Sequence, residues 1–179
     1  MSAENELLQD LMLLSRAAEL VLQEEVIENL REPAIGPTKM NLLRVLRRQR
    51  KQSVNDLARF LGQTKAAASQ NIDSLVKAGL VRRDPDKVDR RCVWISLTPR
   101  GSRVLTKAET LQGQTLKRAV ANLPKGQIQK TSRSMRSLAN ALLASSASKG
   151  STCLQCCAYN TSGCVYESGN WRCQYRRRG

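Results

Sequence analysis

Apolar positions recur with a helical period at both ends of the chain and cluster into short extended runs in the middle. Leu7, Leu8, Leu11, Leu14, Ala18, Val21, Leu22 and Val26 follow one another mostly at spacings of three and four, which predicts a helix over residues 4–31. Leu13, Leu20 and Ile27 add a second apolar line, seven residues apart. A helix apolar on two sides must be buried on two sides. Pro33, Gly36 and Pro37 interrupt it, and Pro37 suits the first position of a second helix, where a missing N–H loses nothing. Met40, Leu42, Leu43, Val45 and Leu46 form that helix's apolar face. Arg44, Arg47, Arg48, Arg50 and Lys51 gather towards its end, where cations suit the helix dipole.

Ser53 to Gly101 is the most patterned stretch. Ser53 is placed as an N-cap with Asp56 three residues on, and Leu57, Ala58, Phe60 and Leu61 are predicted to face inward. Gly62 is positioned to end this helix in the left-handed conformation. Thr64 caps the next helix, whose expected buried positions are Ala67, Ile72, Leu75 and Val76. Lys65, Ala66, Ser69, Gln70 and Asp73 are left to face outward. Gly79 closes it. Leu80–Arg83 and Cys92–Leu97 read as strands, joined by a charged tip from Asp84 to Arg91. Thr98 and Pro99 then read as N-cap and first residue of a long helix. Val104, Leu105, Ala108, Leu111, Leu116, Val120 and Leu123 give that helix an apolar side. Asn122, Pro124 and Gly126 break it before a last helix with Ile128, Met135, Leu138, Ala139, Leu142 and Leu143.

This order predicts a mainly α fold with a small β-wing: a winged helix-turn-helix domain plus a helical dimerisation domain. Small and amide side chains on the outward N-terminal half of the second short helix suit a major-groove reading face, because they let the backbone approach while Gln and Ser meet base edges. Lys87, Arg90 and Arg91 surround Asp89 at the wing tip, and an arginine held out there suits a narrow minor groove.

Charge agrees with a polyanionic partner. The formal net charge is +15, with 30 Lys+Arg against 15 Asp+Glu. Residues 1–32 hold eight acids and two bases, which leaves 28 bases and seven acids in the rest of the chain. A basic body with an acidic end points to nucleic acid. The bases are not gathered on one apolar helix, as a membrane-surface protein would have them. No apolar run is long enough to cross a bilayer and no signal peptide is evident, so a cytoplasmic protein is expected. Histidine is absent, which removes Ser-His-Asp and Cys-His catalysis, and no enzyme is expected.

The phrases "DLARFLGQTKAAASQNIDSLVKAGLVRR" and "LTPRG", with Asp89-Arg90-Arg91 before Leu97–Gly101, resemble the MarR family of bacterial transcriptional regulators. By element order the resemblance spans roughly residues 5–147. It implies a homodimer that binds double-stranded DNA at a pseudo-palindromic operator and usually represses. It implies that Lys65–Lys77 contains the recognition helix, that Arg91 enters the minor groove and that Asp89 braces it. It also implies a division into an N-terminal dimerisation helix (1–35), the winged domain (36–101) and C-terminal dimerisation helices (102–147). The candidate DNA contacts are therefore Lys65, Ala66, Ser69, Gln70, Lys87, Asp89, Arg90 and Arg91.

Residues 148–179 depart from that family. After a small-residue linker come Cys153, Cys156, Cys157, Cys164 and Cys173, five of the chain's six cysteines. Tyr159, Tyr166, Trp171 and Tyr175 lie among or beside them. A segment this short has no apolar core of its own and needs a covalent or metal centre. A [4Fe–4S] cluster takes four cysteines. Tetrahedral zinc takes four as well, but its sites usually show two paired knuckles and only one C-x-x-C occurs here. A thiol–disulfide switch needs fewer thiols than these. The expected ligands are Cys153, Cys156, Cys164 and Cys173, with Cys157 as a substitute. Cys92 is expected to be a packed thiol.

The expectation is a repressor whose DNA binding is tuned by the cluster. The alternative is a regulator controlled by a small-molecule effector, with a structural zinc tail. More remote are an iron–sulfur redox protein and a zinc-dependent protein-interaction module.

Overall fold

The computed structural model describes residues 2–86, 93–124 and 126–145. In chain order the elements are α1 (Ala3–Glu19), a π-helical turn (Leu20–Glu24), α2 (Glu25–Leu30), α3 (Pro37–Gln49), β1 (Lys51–Ser53), α4 (Val54–Leu61), α5 (Lys65–Lys77), β2 (Val81–Pro85), β3 (Val93–Leu97), α6 (Pro99–Ala119) and α7 (Gln127–Ser145). The mainly α class with a small sheet is as the sequence pattern predicts.

The core lies where α3, α4, α5 and the N-terminal half of α6 meet the sheet. Leu42, Leu43, Leu57, Phe60, Leu75 and Ile95 are among its fully buried side chains. α3 enters on Pro37 at its first turn, with Gly36 as its extended N-cap. α6 packs on α2, the π-turn, α3 and β3, and buries Gly101, Leu105 and Ala108. Neither α1 nor α7 packs extensively on a distant element, and no described side chain of either is buried.

The sheet is antiparallel in the order β1-β3-β2. β1 pairs Lys51 with Ser96 and Ser53 with Trp94; β2 runs from Val81 opposite Leu97 to Pro85 opposite Val93. Pro85 is tolerated because β2 is an edge strand. β1 was not foreseen. Lys-Gln-Ser carries no strand pattern of its own, and the strand exists because Arg50, at φ +63°, turns the chain onto the edge of β3.

Other expectations shift in instructive ways. The predicted helix over 4–31 is interrupted by the π-turn, whose Leu22 carbonyl accepts a hydrogen bond from Gln112 Nε2 at 2.7 Å. A π-turn is a one-residue adjustment to a tertiary partner and leaves the three-and-four spacing readable. In α5 the buried alanine is Ala68, and Ala67 is half-buried. The run Ala66-Ala67-Ala68 offers no contrast to orient the helix. Leu61 and Val76 are likewise half-buried. Leu80 is buried ahead of β2, and Val120 and Leu123 fall in the α6–α7 connection. Arg44 is not a solvent-facing helix-end cation: it is 5% exposed and donates to Asn41 Oδ1 at 3.1 Å and to Gln112 Oε1 at 2.8 Å.

Candidate nucleic-acid interface

α4 and α5 are set by local signals that agree with one another. Ser53 Oγ accepts from the Asp56 N–H at 3.1 Å and donates to the Asp56 carboxylate at 2.7 Å, a cap that closes the first turn of α4. Gly62 ends α4 at φ +62°, and the Gln63 N–H returns to the Ala58 carbonyl at 3.0 Å. Thr64 Oγ1 then accepts from the Ala67 N–H at 3.2 Å and starts α5. Asn71 Nδ2 donates across the turn to Gln63 Oε1 at 3.1 Å, fastening α5 to the connection before it.

α5 has two halves with different tasks. Its C-terminal half is tied down: Asp73 pairs with Arg83 of β2 at 2.7 Å, and Ser74 Oγ accepts from Lys39 Nζ of α3 at 2.9 Å. Its N-terminal half is open: Lys65, Ala66 and Gln70 are exposed and Ser69 is half-buried. Ala68, Ile72 and Leu75 hold the opposite face in the core. The Asp73–Arg83 pair also removes an uncompensated carboxylate from the outward face, which leaves Lys65 and the positive end of the helix dipole to set its potential. The sequence pattern placed Asp73 outward without the partner that claims it.

The outer face of the sheet is polar and interlinked. Ser96 Oγ donates to Asp84 Oδ2 at 2.6 Å, and Arg82 Nε reaches both, at 3.1 Å each. The Ser96 hydroxyl foremost, and the Arg82 guanidinium after it, hold the Asp84 carboxyl below the usual carboxylate value. Trp94 Nε1 donates to Asp86 Oδ2 at 2.5 Å, and Lys51 Nζ lies 4.8 Å from the Trp94 ring centroid, within cation–π range. Asp86 and Val93 are the last described residues on either side of the wing tip. Lys87, Asp89, Arg90 and Arg91 of the candidate DNA contacts lie outside the described residues, as do Cys92 and the tail cysteines Cys153, Cys156, Cys157, Cys164 and Cys173.

The end of the wing is locked to the end of α5 by Thr98–Gly101. Thr98 Oγ1 donates to the Gly79 carbonyl at 2.7 Å and accepts from the Gly101 N–H at 3.0 Å, so it caps α6 while holding the turn after α5. A Cβ at position 101 would fall 2.0 Å from the Leu80 carbonyl oxygen, so only glycine fits there. Arg100 donates to the Ala78 carbonyl and to Glu32 Oε2. Arg83, Trp94 and Arg100 are structural parts of this unit that the sequence pattern alone did not single out. Basic and aromatic residues beside a helix-turn-helix were visible, but their partners were not.

Among the described residues no group of three or more Cys, Asp or Glu side chains is placed to hold a metal ion. No described helix is long and apolar enough to cross a membrane.

Residues 35–91 match the MarR family. The chain is 32% identical over 85 residues to YdgG of Bacillus subtilis, described as an HTH-type transcriptional regulator; the match covers 46% of this chain and 56% of that relative's length. Among solved structures, YusO of Bacillus subtilis superposes with a TM-score of 0.65 at 22% identity, over 79% of this chain and 99% of that one. RV1404 of Mycobacterium tuberculosis superposes with a TM-score of 0.70 at 21% identity, over 79% and 95% respectively. Members of the MarR family are DNA-binding regulators and not enzymes. Helix, turn, helix and the strands of the wing thus meet in one unit with the fold of these solved structures, and its residues 35–91 are similar in sequence to the MarR family.

Proposed function

We propose that the protein is a homodimeric, cytoplasmic transcriptional regulator, a repressor, that binds double-stranded DNA at a pseudo-palindromic operator. The N-terminal half of α5 enters the major groove with Lys65, Ala66, Ser69 and Gln70. Lys87, Arg90 and Arg91 of the wing tip serve the flanking minor groove and backbone, with Asp89 bracing Arg91. The observation that carries this reading is the division of α5: a C-terminal half fastened by Arg83 and Lys39, and an N-terminal half open to a ligand. Exposed leucines and methionines on α1 and α7 support the dimer. Two-fold symmetry then sets the two α5 helices about one turn of DNA apart, roughly 34 Å.

The test is binding of the full chain to duplex selected from a random pool, read by fluorescence anisotropy. Gln70→Ala is expected to change sequence preference more than salt dependence. Arg91→Ala is expected to weaken binding while the major-groove preference survives. If neither substitution changes operator affinity, the groove assignments are wrong.

We further propose that the tail binds a [4Fe–4S] cluster through Cys153, Cys156, Cys164 and Cys173, and that its state tunes DNA binding. The support is the density and spacing of the five cysteines and the aromatic residues among them. Anaerobically purified protein with iron and sulfide near four per subunit, lost in Cys→Ser variants, is the expected result. One zinc and no sulfide would assign the tail to the structural alternative, with a small-molecule effector as the signal.

A further inference from the structure

Arg100 stands where three parts of the chain meet. It lies in the first turn of α6, between the wing and the long helix. Its Nη1 donates to the carbonyl of Ala78, the C-cap of α5. Its Nη2 meets Glu32 Oε2 at 2.7 Å, just past the left-handed Arg31 that ends α2. The Glu32 side chain is only 15% exposed, so the carboxylate side of the pair is sheltered.

The chemistry suits the position. The last turn of a helix carries carbonyls without intrahelical partners, and a cation there is favoured by the dipole. A planar guanidinium satisfies one carbonyl and one carboxylate together in a fixed fork; an ammonium is a point charge without that fork. Thr98 and Gly101 also hold the end of α5, but their contacts stay within the turn at Gly79–Leu80 and the start of α6. The bond to Glu32 extends the link to the segment that leads from α2 into the DNA-binding unit.

We propose that Arg100 is a positioning residue that sets the direction of α5 relative to the α1–α2 arm, and thereby the half-site spacing the dimer accepts. The inference rests on the reading of the protein as a DNA-binding dimer. Arg100 touches no DNA in this scheme. Its effect passes through the Ala78 carbonyl to the recognition helix and through Glu32 to the arm.

The experiment uses the full chain. Duplexes selected by the wild-type protein are resynthesised with the centre of the inverted repeat lengthened or shortened by one and by two base pairs. Affinity is then measured at each spacing. Wild type is expected to show a sharp optimum. Arg100→Met and Glu32→Gln are each expected to flatten it, lowering the preference for the best spacing over its neighbours by about two- to fivefold. The double variant is expected to be no flatter than either single one, and Arg100→Lys intermediate. Circular dichroism and sedimentation confirm that each variant is folded and dimeric, and Glu32→Gln carries the test if Arg100→Met does not fold.

Affinity lowered equally at every spacing, with an unchanged optimum, would overturn the inference and leave Arg100 a role in stability alone. A wild-type protein that selects no duplex would remove the DNA-binding reading, and this inference with it. A wild type with a sharp optimum that the variants keep defeats only the inference.

Discussion

Among the described residues from Pro37 to Leu97 the large apolar side chains are mostly packed on one another, whereas many of those described in α1 and α7 stand in solvent. Leu42, Leu43 and Leu57 are 0% exposed, while Leu8 is 58%, Met12 66% and Leu13 70% exposed. α6 crosses from one regime to the other. Leu105 and Ala108 are buried in its first half, and Leu116 is half exposed in its second. The difference teaches that the winged unit, with α2 and the first half of α6, completes one core, and that α1 and α7 do not share in it. Long helices with unburied apolar stripes need a partner surface, and the homodimer proposed above would supply one from the same sequence.

The sharpest way to break this comparison is to damage each region in kind. Phe60→Ala removes a ring that is 2% exposed at the centre of the winged unit. It is expected to destabilise the fold by about 3–5 kcal/mol, read as a lower urea midpoint with an unchanged slope. Leu13→Asp places a charge on the exposed stripe of α1 instead. It is expected to weaken association by about 2–4 kcal/mol, read by sedimentation across a dilution series, and to lower duplex affinity with it. Equal effects of the two variants on unfolding at fixed concentration would show that the arms are not a separate interface.

The same contrast decides how much the sequence revealed. Signals local to a few residues were readable: Ser53, Gly62, Thr64, Gly79 and Thr98 all punctuate helices where their chemistry requires. So was the apolar surplus at both ends. What was hidden depends on partners far along the chain. β1 is defined by its pairing to β3, and no property of Lys51–Ser53 announces it. The π-turn answers to Gln112, ninety residues away. Arg44 and Arg47 read as two more cations at a helix end. Arg47 in fact makes a two-pronged pair with Glu109, and Arg44 is buried against Gln112. The outward set on α5 was legible because it is the complement of the core positions, apart from Asp73, whose partner Arg83 comes from another element.

A second prediction sharpens the seam between the regions. Gln112 accepts from Arg44 on α3 and donates to the Leu22 carbonyl of the π-turn. It thus joins the arm to the winged unit by two hydrogen bonds. Gln112→Leu keeps the bulk and removes both, including the bond that Arg44, 5% exposed, makes to the amide oxygen. The expected loss is about 1–3 kcal/mol of stability, smaller than that of Phe60→Ala. Hydrogen exchange is expected to rise in residues 20–30 ahead of α4 and α5. Exchange that rises uniformly instead would show that Gln112 does not link the two regions.

The smallest effect lies on the sheet's outer face and depends on pH. Ser96 and Arg82 hold the Asp84 carboxyl below its ordinary value of 3.8 in the folded protein. A depressed folded value means that the ionised form is favoured by folding. The contribution is therefore fully present above the unfolded value, and it is lost as pH falls below about 3.8 towards the folded one. Asp84 is 43% exposed, so solvent screening keeps the contribution small. Wild type is expected to melt slightly above Asp84→Asn at neutral pH, with the gap closing in that acid window. The sheet face belongs to the self-sufficient region, so duplex affinity and the dimer are expected to stay unchanged by this substitution. A gap that is the same at neutral pH and in acid would show that Asp84 contributes through shape and hydrogen bonding rather than through its charge.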